Sequence, residues 1–284
     1  MNKLPPPQIP FADALSEAVS GVGDPALCAR YNDAFANAAA IEAHYAQVAS
    51  SAGLHALPRL IGPDDPVVHG TLRKSELTKL YTQYFVPQGK PARAIYDKVK
   101  VSAGGKCPLC GGIGHVRTLD HYLPKANFPL YSVLPANLVP CCRDCNSEKL
   151  NAFANQKADQ TLHPYFDHVR FFQERWIQAR VIPTSPPVVE FFVEAPAAWH
   201  PEDRSRVAAH FLEYGLGDKF SVEAAADLPE TIRSRATTLA GHSPAEYSAY
   251  LLEKSQNIDL PVNNWRRVMF AALATDHWFC HQVF

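Results

Sequence analysis

Two Cys-x-x-Cys pairs, Cys107/Cys110 and Cys142/Cys145, constrain this 284-residue chain more than any other feature. Thiols paired at that spacing form zinc knuckles, and two knuckles supply the four ligands of a tetrahedral structural Zn²⁺. The stretch between Cys110 and Cys142 must then close on itself. It is longer than a simple zinc ribbon needs, so something folded is expected inside it. Cys141 adjoins a ligand, but only Cys142 keeps the two-residue spacing to Cys145; Cys141 reads as a buried bystander. Cys28 and Cys280 are scattered. An odd count of seven with metal-ligand spacing argues for thiolates in a reducing, cytoplasmic compartment and against a disulfide framework.

The insert reads as strand, long loop, strand, helix. Residues 116–121 (VRTLDH) are strand-like and 136–140 (ANLVP) form a second short strand. Residues 144–153 are helix formers, with Asp144 as the expected cap. A zinc joining the approach to the first strand with the start of the helix would staple this ββα unit, which is too small to bury much core alone. Asp120 and His121 are neighbours at a strand end, so their side chains diverge. Asp120 offers a hard oxygen ligand and Asn146, directly after the last cysteine, a carbonyl oxygen; both suit Mg²⁺. His121 as neutral imidazole suits proton abstraction from water. Lys149, one turn beyond Asn146, is expected to neutralise a backbone phosphate.

These residues resemble the HNH (ββα-metal, His-Me finger) endonucleases in their zinc-stapled form. There an Asp-His pair ends the first strand, an Asn lies in the second, and a His or Asn follows the second knuckle; here they are Asp120-His121, Asn137 and Asn146. The resemblance implies His121 as general base, Asp120 and Asn146 as ligands of one catalytic metal, and Asn137 as the residue that ties down the loop carrying the base. Many members carry His where Asn146 stands, which makes Mg²⁺ or Mn²⁺ the expected catalytic ion. The Gly-Gly common after the Asp-His pair is absent; Asn127-Phe128-Pro129 stands there instead. More loosely, LDHYLPK, NLVPCCRDCN and HPYFD resemble bacterial HNH proteins linked to anti-phage defence. That implies a DNA-damaging effector working with a partner ATPase or sensor. His163, in HPYFD, is a further site candidate, though a lone His before Pro is more often structural.

Charge agrees with a polyanionic partner. Between Lys90 and Lys149 there are nine Lys or Arg against four Asp or Glu, a net +5 on a chain whose total is −1. A basic patch on a neutral protein suits nucleic acid, although a solvated face has the same composition. Lys125, Arg143, Arg117 and Lys149 are the candidate nucleic-acid contacts. No base-reading array stands out, so backbone contact with double-stranded DNA is expected.

The flanks read as mainly helical. A proline-rich arm over residues 1–10 precedes a short helix at 11–19. Asp24-Pro25 starts a helical pattern running to Tyr45, and further helices are expected at 71–86 and 91–100. Residues 53–70 read as a loop. Beyond the insert, 176–182 and 188–194 form a hairpin-like pair of strands. Helices are expected at 201–214, 219–240, 244–256 and 264–280, with Ser243-Pro244 and Asn264 as start signals. The expected fold is therefore α+β: a helical region (1–100), a zinc-stapled ββα-metal module (101–167), and a β-hairpin plus helical region (168–284). No run approaches the ~18 apolar residues of a membrane span.

The expected function is a metal-dependent HNH endonuclease acting on DNA. A zinc-stapled nucleic-acid-binding or adaptor module without catalysis, and an RNase toxin with the same site, are the alternatives. Residue types favour the enzyme, since a dead module has no need of the Asp-His pair and Asn146 together. DNA and RNA are not separated, because water-driven phosphodiester hydrolysis does not use the 2′-OH. A homo-oligomer would decide whether one or both strands are cut.

Overall fold

The computed structural model describes residues 1–282 and 284. Its backbone divides into two compact units, Lys3–Asp167 and Met1–Asn2 with His168–Phe284. Twelve α-helices and three two-stranded antiparallel sheets are present among the described residues, a mainly helical α+β architecture.

In the first unit, α1 (Phe11–Ser20), α2 (Pro25–Ala34) and α3 (Ala38–Ser50) precede a small ladder of β1 (Val67–His69) and β2 (Leu72–Arg73). Asp24 caps α2 through Oδ1, which accepts from the amides of Ala26 and Leu27. The apolar period from Leu27 to Tyr45 serves two helices: the chain turns at Phe35–Asn37, where the buried Phe35 ring sits edge-on to Phe11, 5.6 Å between centroids. The proline-rich arm is pinned, with Lys3 Nζ donating to the carbonyls of Tyr165 and Asp167 at 2.7 and 2.6 Å.

The stretch read as one helix over 71–86 is composite. Leu72 and Arg73 pair in the β1–β2 ladder, α4 spans Lys74–Lys79, and Leu80–Phe85 widen into a π-helical turn. Such turns re-aim side chains and recur at functional sites. Then α5 (Arg93–Val101) packs against both β3 (Thr118–His121) and β4 (Leu138–Cys141). These strands pair antiparallel with Asp120 opposite Val139 and His121 opposite Leu138. The second strand thus starts later than expected, because residues 135–137 form a 3₁₀ turn. Helix α6 (Arg143–Lys149) follows and touches β3. Its cap is Cys142, whose sulfur accepts from the Cys145 amide; Asp144 lies exposed in the first turn instead.

In the second unit, α7 (Arg170–Gln173) leads into the hairpin of β5 (Ile177–Ile182) and β6 (Val188–Val193), paired from Ile177↔Val193 to Ile182↔Val188. Around it stand α8 (Pro201–Glu213), α9 (Leu216–Ala236), α10 (Pro244–Ser255), α11 (Trp265–Thr275) and α12 (His277–His281). Helix α9 packs on β6 and α11 on β5. The expected 264–280 helix breaks at Asp276, whose carboxylate caps α12 by accepting from the Phe279 amide. No helix among the described residues is long and apolar enough to cross a membrane.

Candidate functional site

The four cysteines of the two knuckles meet. Cys107, Cys110, Cys142 and Cys145 are buried free thiols whose sulfurs all lie within 4.8 Å of one another. Four thiolates around Zn²⁺ at ~2.3 Å stand ~3.8 Å apart, so the cluster fits a structural zinc. The cluster takes Cys142 and leaves out Cys141, whose thiol burial pushes up. Backbone bonds shape the first knuckle: the Gly114 amide donates to Cys110 Sγ at 3.3 Å, and the Cys107 amide to the Gly114 carbonyl at 2.9 Å. Glycine is required at 114 by close approach. A Cβ there would lie 2.5 Å from both Cβ and Sγ of Cys142.

The four-thiol cluster joins the start of α6 to the chain that enters β3, and a cleft opens between this helix and this strand. The cleft holds about 330 Å³ and is lined by Asp120 and His121 from β3, by Asn146 from α6, and by Lys125, Tyr81 and Tyr96 around them.

His121 is buried, at 6% exposure. Its Nε2 lies 2.8 Å from the Ser132 carbonyl oxygen. A carbonyl only accepts, so Nε2 carries the proton and Nδ1 keeps the lone pair. The Tyr81 ring stands edge-on to the imidazole, 4.3 Å between centroids. Burial, then the positive charge of Lys125, pushes the imidazole down to about 3, so the ring is neutral at physiological pH.

Asp120 is 7% exposed. Its Oδ2 accepts from Lys149 Nζ at 2.9 Å, and the same ammonium donates to the His121 carbonyl at 2.6 Å. Burial pushes the Asp120 carboxyl up, and the adjacent Lys149 opposes it. Lys149 therefore points inward, at 4% exposure, and not toward solvent where a phosphate contact was expected. Position 149 lies on the same helical face as Asn146, three residues on, and that face is the one turned to β3. Of the other cationic candidates, Lys125 lines the cleft; Arg117 and Arg143 are exposed and outside it.

Asn137 does not line the cleft; it is fully buried, with all its side-chain groups engaged. Oδ1 accepts from the Leu123 amide (2.8 Å) and the Tyr45 hydroxyl (2.9 Å); Nδ2 donates to the carbonyls of Leu123 (3.1 Å) and Tyr131 (3.2 Å). One amide thus ties both ends of the β3–β4 loop, which also carries Ser132. His163 does not line the cleft. It is buried, stacked on Tyr122 at 4.1 Å, with Nδ1 accepting from the Tyr165 amide and Nε2 3.4 Å from the Tyr45 hydroxyl.

Nothing in the sequence singles out Tyr45, Tyr81 or Ser132 for chemistry. The two tyrosines sit in apolar stripes and are indeed core, but each presents a polar or ring-edge contact to the site. Ser132 contributes a backbone carbonyl, which no residue pattern announces.

Among known proteins, protein ea31 of Escherichia phage lambda is 34% identical over 293 aligned positions, covering 98% of this chain and 99% of the relative. No family model matches the chain, and no solved structure does. Similarity at that level over essentially the whole of both chains establishes kinship: the chain belongs to the family of phage lambda protein ea31.

Proposed function

We propose that this protein is a metal-dependent endonuclease of the HNH, ββα-metal type that hydrolyses phosphodiester bonds in DNA. The observation that carries the reading is the convergence of Asp120, His121 and Asn146 on one cleft, from a strand and a helix joined by a four-thiol cluster. The module of residues 101–167 is the unit assigned to this chemistry.

His121 is the proposed base. Ser132 holds its Nε2–H, so Nδ1 is the nitrogen that takes a proton from water. A strongly depressed imidazole is a weak base, but a phosphate anion arriving beside it raises it toward the working range. The edge of Tyr81 restricts the ring. Asn137 holds the loop that supplies the Ser132 carbonyl. One carboxylate and one carboxamide oxygen in an open polar cleft fit a hard cation that keeps most of its water. Asp120 and Asn146 would hold a single Mg²⁺ or Mn²⁺, which supplies electrostatic stabilisation of charge on the phosphate and the leaving oxygen. Lys125 is the proposed phosphate contact at the cleft, with Arg117 and Arg143 at greater distance.

The Lys149–Asp120 ion pair favours a second reading, a nucleic-acid-binding module that never binds a catalytic ion. An RNase using the same groups is the third. The anti-phage role and a partner ATPase or sensor rest on the looser resemblance, and the relative, itself a phage protein, gives them no added support.

Incubating supercoiled plasmid with the purified chain in Mg²⁺ or Mn²⁺ separates these readings, with a structured RNA in parallel. Nicking or linearisation that EDTA and His121→Ala each abolish is the expected result. Cleavage of the RNA alone would make it a ribonuclease. Intact DNA and RNA with a zinc-loaded wild type would favour the binding module.

A further inference from the structure

We infer that the cleft takes up its divalent cation only together with a phosphodiester, because Lys149 already serves as the cation of Asp120; this rests on the nuclease reading above. Asp120 is the one carboxylate among the described residues lining the cleft. Its Oδ2 is committed to an ammonium group 2.9 Å away that is itself buried. Lys125 adds a second positive charge to the same lining, and Asn146 offers a neutral oxygen. The free cleft thus presents no net negative charge to an incoming ion.

A divalent cation close to an ammonium in a partly dehydrated cleft meets repulsion that one shared carboxylate does not offset. A phosphodiester changes that balance. It brings a negative charge and two oxygen ligands, and Mg²⁺ sites are commonly completed by substrate phosphate in this way. Lys149 is then a positioning residue and a gate. It satisfies Asp120 while the cleft is free, fixes which carboxylate oxygen remains for the ion, and prevents loading without substrate. By linkage, metal and nucleic acid must each tighten the other's binding.

Mn²⁺ titration followed by electron paramagnetic resonance of the free ion tests this on the full zinc-loaded chain. All samples carry His121→Ala so that DNA stays intact. A short duplex is compared with its uncharged methylphosphonate counterpart, each duplex's own Mn²⁺ uptake being subtracted. With Lys149 in place, Mn²⁺ uptake is expected to be weak alone, at least ~10-fold tighter with the ordinary duplex, and unchanged by the methylphosphonate. Lys149→Met is expected to bind Mn²⁺ at least ~10-fold more tightly without DNA, and Lys149→Arg to behave as Lys149 does. Tight Mn²⁺ binding without DNA, equal with Lys149 in place and in Lys149→Met, would overturn the gate and leave the nuclease reading standing. Absence of uptake in every sample would overturn the gate together with the metal-site reading. If Lys149→Met fails to fold, the comparison of the two duplexes decides alone.

Discussion

The hydroxyl of Tyr45 in α3 donates to Oδ1 of Asn137 at 2.9 Å, a buried bond that joins residues 92 positions apart. His163 backs the same hydroxyl. Its Nδ1 accepts a backbone amide, so Nε2–H points at Tyr45, which in turn points its proton at Asn137. Tyr45→Phe removes one donor and is expected to cost about 1 kcal/mol, whereas Asn137→Ala strands the Leu123 amide and two carbonyls and should cost about 3 kcal/mol or more. Urea titration of both variants measures this; an Asn137→Ala cost below about 0.5 kcal/mol would show that the loop does not depend on the amide.

Gly114 is expected to tolerate no side chain. The Cβ of Gly114→Ala would sit 2.5 Å from Cβ and Sγ of Cys142, so a thiol of the cluster has to move. Loss of zinc should follow, read as free Zn²⁺ released to a colorimetric chelator under conditions where the wild type retains it. Gly104→Ala, at a φ of 59°, strains the backbone but brings its Cβ within 4 Å of nothing, and is the comparison. Equal zinc retention by Gly114→Ala and wild type would mean that the knuckle yields.

Local chemistry is legible in the sequence and distant geometry is not. Asp24, Ser243 and Asn264 cap helices through their own side chains, and each is readable because the bond spans only two or three residues. The hairpin of 177–193 is readable from its β-branched and aromatic residues. The meeting of the four thiols is readable because both pairs carry the two-residue spacing of a zinc knuckle. Lys149 reads as solvent-facing because charge suggests exposure, while its helical face, shared with Asn146, decides its direction. Tyr45 carries no sign of its polar role, since an aromatic in an apolar stripe looks the same with or without a partner for its hydroxyl. The breaks at Phe35–Asn37 and at Asp276 are invisible to periodicity, which continues across a short turn unchanged.

Zinc removal is expected to unfold the unit that contains the cleft. The strands β3 and β4 are four residues each and α6 is seven, too little to hold themselves without the cluster. Cys110→Ser should abolish retained zinc and lower the melting temperature of this unit. Calorimetry of wild type, of chelator-treated protein and of Cys110→Ser checks it. A transition unchanged by removal of the metal would assign the cluster no part in folding.

Leu150 marks a place where the chain bears a cost. It ends α6 at φ 48° and ψ −113°, is 70% exposed, and stands at the rim of the cleft one residue after Lys149. A leucine at positive φ costs of order 1–3 kcal/mol, and an exposed side chain recovers little of that through burial. Glycine adopts such angles without the steric penalty of a Cβ, so Leu150→Gly is expected to stabilise the protein by about 1 kcal/mol. The same change loosens the turn that follows Lys149, so a gain in stability accompanied by loss of plasmid cleavage would identify the strain as part of the site. A stabilised variant with full activity would mark it as a plain consequence of how the chain leaves the helix. A destabilised one would show that the leucine side chain makes contacts outweighing its backbone cost.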